Sequence, residues 1–275
     1  MSSLRPTPLE VIRDDTLFAL GKALRSLRVG DAREQSGEVY STVALCHRRL
    51  AFCALLAQAD ASRFATHLCH SGRTRLQFLK LVAAGHGSEP LYRCASKAFS
   101  FIDALAAGQL DLAVEIARLE ADRSDPSLEY EEDFLLHHFL HRFTMQLHAG
   151  VASELSGILD RWESMLQGNE DSYLMVCRAL LARSAPDFNQ ALEDVIAERI
   201  LTFKKKPRDE GPNDELRRTE GAIFMNGLAL LRLAELCGLE TSREYPTLPG
   251  MARVPLGGRL PPADGWRDPP ADILD

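Results

Sequence analysis

One segment near the C-terminal end is apolar on almost every side of a helix. It reads RTEGAIFMNGLALLRLAELCGL, residues 218–239, and the strongly polar residues between positions 222 and 237 are Asn226, Arg232 and Glu235. A helix without a polar face has to be surrounded by other helices. We therefore expect this helix at the centre of a bundle, with Arg232 and Glu235 close enough to pair. Gly238 then supplies the left-handed residue that commonly ends a helix.

The rest of the chain also carries apolar residues at helical spacing. One stripe consists of Leu17, Leu20, Leu24 and Leu27, and the next of Val39, Val43, Cys46, Leu50, Cys53 and Ala57. A third candidate helix covers residues 62–84, with a candidate break at Gly72. Beyond Pro90, pairs of helices are separated by turns near Gly108, Gly150 and Ala185. The pattern predicts an all-α fold, an irregular helical bundle with stacked helical hairpins.

The chain is rich in proline and glycine from residue 246 onward, where it holds seven prolines and four glycines. Proline lacks a backbone N–H and clashes inside a helix, so this tail cannot be a regular helix. We expect a single helical domain over residues 1–245, with a candidate domain boundary near residues 85–90. An extended tail should follow over residues 246–275. The tail should lie extended on the bundle as far as about Val254 and be loosely ordered after it.

The charge balance opposes a nucleic-acid-binding protein. Lys and Arg number 32 against 39 Asp and Glu, a net charge of −7, whereas such proteins usually carry a basic patch. The balance instead favours a basic partner. The N-terminal MSSLRPTPLEVIRDD lacks the apolar core of a signal peptide, and the longest uncharged apolar run, residues 221–231, is too short to cross a bilayer. We expect a cytoplasmic protein without a membrane partner.

Common catalytic motifs are absent from the sequence. It contains no GxSxG, GxxxxGK[ST], GxGxxG or CxxC pattern, so acyl transfer, nucleotide chemistry and thiol redox chemistry have no motif behind them. The six cysteines lie among apolar residues that favour helix, and we predict that they are reduced core residues: Cys46, Cys53, Cys69, Cys94, Cys177 and Cys237. We expect no cofactor and no small-molecule substrate.

The histidines of HHFLH form the strongest candidate for metal chemistry. His137 and His141 are four residues apart, the spacing that lets two imidazoles on one helix hold one metal ion, and Asp133 lies four residues before His137. The zincin pattern HExxH needs glutamate where this chain has His138. The sequence therefore favours a surface or partly packed histidine group, and His67 and His70, three apart, receive the same interpretation.

An acidic run precedes these histidines. It contains Glu129, Glu131, Glu132 and Asp133. Carboxylates in the first turn of a helix interact favourably with the helix dipole, which is one explanation for the run. The other is an acidic patch that meets basic residues of a partner, where charge complementarity speeds association. The polar loop before the apolar helix, which includes Asp209 and Glu210, has the same two interpretations.

Three stretches in the second half of the chain resemble a known family. The run EGAIFMNGLALLRLAELCGL, followed by EYPTLPGMARVP, resembles the C-terminal signature of the Imm49 family of bacterial immunity proteins. The stretch EYEEDFLLHHFLH, residues 129–141, is similar to an acidic stretch in the middle of that family, and residues 176–200 are similar to one of its helices. The resemblance implies an antitoxin that binds and blocks a polymorphic toxin made by the same cell, without a catalytic site.

We therefore interpret the chain as a non-enzymatic immunity protein whose partner is a cognate toxin domain. The residues expected to contact that partner are acidic: Glu129, Glu131, Glu132, Asp133, Asp209 and Glu210. Two alternatives stay open at this point. One is a helical-repeat scaffold or regulator that binds another protein. The other is a metal-dependent hydrolase that uses His137 and His141.

Overall fold

The computed structural model describes residues 6–28, 36–150, 154–206, 211–258 and 261–268, and within these ranges it contains helices and no strand. The prediction of an all-α fold is confirmed. The α-helices are α1 (Pro8–Arg28), α2 (Glu38–Gln58), α3 (Ala61–Ala83), α4 (Ser100–Ala106), α5 (Leu110–Leu119), α6 (Glu131–Ala149), α7 (Leu155–Leu166), α8 (Ser172–Ala182), α9 (Ala185–Lys204), α10 (Asp214–Arg218) and α11 (Met225–Leu236). Short 3-10 helices lie at Pro90–Arg93, Ala95–Lys97, Gly250–Ala252 and Gly265–Arg267.

The apolar C-terminal helix is α11, and it is buried as predicted. Its apolar residues from Met225 to Ala234 lie in the core, and the buried Arg232 pairs with Glu235, with 2.5 Å between Arg232 Nη1 and Glu235 Oε2. The predicted segment starts at residue 218, but the helix begins at Met225, because Phe224 is extended and its N–H donates to the carbonyl of Thr247 at 2.9 Å. Gly238 follows the helix with a φ of 73°.

The long N-terminal helices form a layer around α2. This helix packs against α1 and α3, and α3 in turn contacts α4 and α5. Farther along, α4 packs on α5, α6 on α7 and α8 on α9, which are the helix pairs predicted from the turns near Gly108, Gly150 and Ala185. The helix α5 also packs on α6. One contiguous apolar core joins these elements, from Leu20 in α1 to Trp266 near the C-terminus.

The helix α3 is continuous, so the candidate break at Gly72 is wrong. This glycine is buried where α3 passes α4 and α5. A Cβ atom added to Gly72 would lie 2.9 Å from Leu112 Cδ2 and 3.2 Å from the Cβ of Ala104. Glycine at this position therefore permits close packing of helices instead of ending one.

The helix α2 is long and apolar enough to pass a test for membrane-spanning helices. However, 72% of its most apolar stretch is buried inside the fold. Its neighbours α1 and α3 cover it. Packing in a protein core therefore accounts for the apolar composition of α2.

The cysteines lie mostly in the core, as the prediction of core residues requires. All six are free, and five of them are buried, whereas Cys237 is half-buried. Burial raises the pKa of the Cys46 thiol to about 11, with Arg49 acting in the opposite sense. A buried thiol with a raised pKa is a poor nucleophile.

The C-terminal tail lies on the bundle farther than expected. Leu248, Ala252 and Val254 are buried, as the expected contact up to about Val254 requires. The expected loose order after Val254 is wrong for residues 261–268, because Gly265–Arg267 forms a 3-10 turn and Trp266 is only 2% exposed. An indole of this size contributes a large apolar area to the core, and that burial holds the segment. Residues 269–275 lie outside the described ranges.

Candidate functional site

The acidic run forms the first turn of α6, which contains Glu131, Glu132 and Asp133. The helix dipole stabilises each carboxylate in such a position by about 0.3–1 kcal/mol. Glu131 also pairs with Arg161 of α7, with 2.6 Å between Arg161 Nη2 and Glu131 Oε1. Glu132 and Asp133 are exposed, and within the described part of the chain no ion pair engages either one. These two carboxylates are therefore available to a partner.

Asp133 lies near three acidic groups and one lysine. The pKa of its carboxyl lies above the ordinary value, first because surrounding protein removes part of its water, and further because of the charges of Glu132, Glu129 and Asp171, while Lys97 acts in the opposite sense. Carboxylates that repel one another gain from a nearby cation. A basic side chain of a partner would therefore relieve this repulsion.

Tyr130 adds an aromatic side chain beside these charges. It precedes α6 and is 71% exposed, and Lys97 Nζ lies 6.0 Å from the centroid of its ring. Exposed tyrosines are frequent anchors at protein interfaces, because they bury a large area at a small entropic cost. We call Tyr130, Glu131, Glu132 and Asp133 the acidic surface. No local sequence pattern predicts that Tyr130 is exposed, because its exposure depends on how the preceding turn packs.

Glu129 does not belong to this surface, contrary to the expectation from sequence. It is 6% exposed, accepts a hydrogen bond from Ser96 Oγ, and accepts another from the backbone N–H of Asp125 at 3.2 Å. These bonds connect the turn before α6 to the 3-10 helix Ala95–Lys97. The carboxylate of Glu129 therefore stabilises the fold and does not face a partner. Asp209 and Glu210 lie outside the described residues.

His137 and His141 lie inside the bundle, where the sequence had favoured the surface or partial packing. They are 8% and 3% exposed, and their ring centroids are 6.2 Å apart. The ring of His141 packs edge-on against Phe101 at 4.3 Å. Burial, with a smaller effect of Arg75, lowers the pKa of His137 to about 4. No group of three metal-ligating side chains in the described ranges includes this pair, so the arrangement does not support a hydrolase centre here.

A groove with mixed polar and apolar lining lies between α9 and the turn before α11. Its volume is about 420 Å³, and its lining includes Arg48, Arg199, Phe203 and Glu220. The guanidinium of Arg199 lies 4.2 Å from the ring of Phe203 and donates to the backbone carbonyl of Glu220. The groove therefore presents stacked and hydrogen-bonded side chains.

A buried ion network, formed by Arg48, Asp103 and Glu220, adjoins this groove. Arg48 is 5% exposed and lies 2.7 Å from Asp103 Oδ1 and 2.7 Å from Glu220 Oε1. Burial raises the pKa of the Asp103 carboxyl to about 6, although Arg48 and a hydrogen bond from Ser71 favour its charged form. The cluster connects α2, α4 and the turn before α11. Its members are distant in sequence, so no local pattern could predict it.

Comparison with known proteins identifies a family. The family Immunity protein 49 (Imm49) matches residues 48–252, from the middle of α2 to the tail segment that packs on α11. No curated protein and no solved structure matches the chain. The family match includes the apolar helix, the acidic surface and the buried ion network, and it extends beyond the second half of the chain where the resemblance was found. This chain belongs to the Imm49 family of immunity proteins.

Proposed function

We propose that this protein binds a cognate toxin in the cytoplasm of the cell that makes it and neutralises the toxin by covering its active site. Membership of the Imm49 family supports the immunity role and a protein partner. The acidic surface supports a basic partner. The proposed role is non-enzymatic, which is what membership of an immunity-protein family supports.

The acidic surface is chosen because it combines exposed, unpaired carboxylates with an exposed tyrosine. Glu132 and Asp133 are exposed carboxylates without an ion-pair partner in the described ranges, and Tyr130 next to them is 71% exposed. Unpartnered charge of one sign steers an oppositely charged partner and raises the association rate. An aromatic anchor then supplies much of the affinity when it enters a pocket. The combination matches a protein interface better than a solvated helix start.

The first experiment tests the immunity role in cells. The protein is co-expressed with the toxin domain encoded beside its gene, and growth is compared with growth when the toxin is expressed alone. We expect the protein to restore growth. Binding to a neighbouring gene product that is harmless when expressed alone would instead favour the scaffold alternative. A toxin that stays lethal although the two proteins are both soluble and folded would contradict the proposal.

The second experiment tests the acidic surface with a matched pair of double variants. Glu132→Lys/Asp133→Lys reverses two adjacent carboxylates there, and Glu193→Lys/Asp194→Lys does the same to two exposed carboxylates on α9. We expect the first variant to associate with the toxin about tenfold more slowly at low salt. The difference should shrink as salt screens the charges. The α9 variant should bind like the wild type.

A melting curve of each variant separates binding from folding. Lysines in the first turn of α6 oppose the helix dipole and should cost up to about 1 kcal/mol each. Equal association rates for both double variants at every salt concentration would move the interface elsewhere. In that case the acidic run would be explained by its position at a helix start alone.

A further inference from the structure

Three histidines from two helices meet at one point of the bundle. His47 belongs to α2, and His67 and His70 belong to α3. One ring nitrogen of each lies within 4.8 Å of the others, and the rings of His47 and His70 are 4.9 Å apart between centroids. His47 is fully buried, and the other two are half-buried. Helix packing has therefore concentrated imidazole nitrogens in a small volume.

The orientation of His47 is set by the tail. Its Nε2 lies 3.0 Å from the backbone carbonyl oxygen of Trp266. Because a carbonyl only accepts hydrogen bonds, Nε2 carries the proton and the lone pair is on Nδ1. That atom faces His67 Nδ1 at 3.3 Å. Metal-binding histidines usually have this arrangement, in which the second ring nitrogen donates to a carbonyl or carboxylate and so orients the first.

His70 has no hydrogen-bond partner for either ring nitrogen among the described residues, although both atoms are buried. A buried polar atom without a partner costs about 1–3 kcal/mol. A hydrogen bond between the rings of His47 and His67 satisfies the facing nitrogens of those two residues. It leaves both ring nitrogens of His70 without a partner among the described residues. Glycine at position 265 leaves space beside this ring, because a Cβ there would lie 3.3 Å from His70 Nε2.

The spacing of the nitrogens suits a tetrahedral ion. With Zn–N bonds of about 2.0–2.1 Å, two ligands at the tetrahedral angle are about 3.3–3.4 Å apart. The distance between the Nδ1 atoms of His47 and His67 already has this value, 3.3 Å. The third nitrogen has to approach by a small side-chain rotation. Imidazole ligands without a carboxylate favour zinc and related transition metals over calcium or magnesium.

The rings are in the protonation state that metal binding needs. Burial lowers the pKa of His47 to about 4 and that of His70 to about 3, and it also lowers the pKa of His67. All three rings are therefore neutral near pH 7, and a neutral imidazole has a free lone pair.

We propose that His47, His67 and His70 form a binding site for Zn²⁺ or a similar transition-metal ion, and that the bound ion fastens the segment 261–268 to α2 and α3. The fastening acts through the hydrogen bond from His47 to Trp266. Three protein ligands leave the fourth position to a solvent molecule. The sequence predicted His67 and His70 as a surface or partly packed pair and did not connect them to His47, which lies on another helix. The proposal is independent of the acidic surface and of toxin binding.

The experiment uses the full chain, stripped of metal with a chelator and titrated with Zn²⁺ by calorimetry. We expect one Zn²⁺ per chain and a higher melting temperature with the metal, since a ligand that binds only the native state stabilises it. His67→Ala/His70→Ala should lower the affinity by more than about a hundredfold, beyond the usual effect of losing an outer partner of a ligand. His86→Ala/His148→Ala removes two surface histidines and should bind like the wild type.

Two further measurements keep the test decisive if the double alanine variant does not fold. The milder single variant His70→Gln should also lose the Zn²⁺-induced rise in melting temperature. Co²⁺ added to the wild type should give the visible absorption bands of a tetrahedral site. Failure of the folded wild type to bind Zn²⁺ with 1:1 stoichiometry, or equal binding by the His70→Gln variant, would overturn the proposal.

Discussion

At the scale of single residues, Gly72 decides how closely the helices of the N-terminal half approach. The neighbouring side chains leave little room for another one, because Leu112 Cδ2 and Ala104 Cβ lie 2.9 Å and 3.2 Å from the position that a Cβ would take. A glycine inside a helix costs about 1 kcal/mol relative to alanine. Here that cost is offset by the packing of α3 against α4 and α5.

Gly72→Val should therefore destabilise the protein. We expect the free energy of unfolding to fall by about 1–3 kcal/mol, the usual range for inserting methyl groups into a packed core. Gly157 on α7 is the matched control, because a Cβ there would contact nothing within 4 Å. Gly157→Val should leave stability unchanged or raise it by up to about 0.5 kcal/mol. Urea unfolding of both variants measures the difference, and equal midpoints would show that Gly72 is not a packing contact.

At the scale of elements, α11 organises the C-terminal half. Its apolar residues are buried against other helices, and its two charged residues are used internally. Arg232 donates to the carbonyl of Val254, and Glu235 pairs with Arg253 at 2.6 Å. The two charged side chains of this helix therefore bind the tail and each other, which explains how a largely buried helix can carry charges.

Leu228→Asp should strongly destabilise the protein. Leu228 is 3% exposed, and an aspartate there would bury an unpaired carboxylate at a cost of about 3 kcal/mol or more. Leu201→Asp is the control, since Leu201 lies on α9 and is 62% exposed. Thermal unfolding measures both variants. If Leu228→Asp changes the melting temperature no more than Leu201→Asp does, α11 is not central to the fold.

At the scale of the whole molecule, buried histidines make stability depend on pH. Burial, with Arg75, lowers the pKa of His137 from 6.5 to about 4 in the folded protein. As the pH falls below 6.5, the unfolded chain binds a proton that the folded protein does not, so unfolding becomes more favourable. The stability lost in this way grows until the pH reaches about 4. Linkage gives a loss of about 2 kcal/mol at pH 5 from this residue.

His137→Gln removes this proton uptake and keeps a polar side chain of similar length. We expect the difference in free energy of unfolding between pH 7 and pH 5 to be about 2 kcal/mol smaller in the variant than in the wild type. Urea unfolding at the two pH values measures it. The comparison uses the difference between pH values, so a constant cost of the substitution cancels. An identical pH dependence in both proteins would show that His137 is protonated in the folded state or accessible to water.

The sequence by itself determined the helices, because helix periodicity, capping and i,i+3 pairing act within a few residues of one another. The buried face of α11, the pairing of Arg232 with Glu235 and the acidic first turn of α6 are all of this kind. Only the tertiary structure decided that Glu129 is buried, that Gly72 is a packing contact and that Trp266 docks on the bundle. The same holds for the histidine cluster, in which His47 and Trp266 are 219 residues apart. Such contacts depend on how separate segments pack, and no local pattern of residues specifies which distant segments will meet.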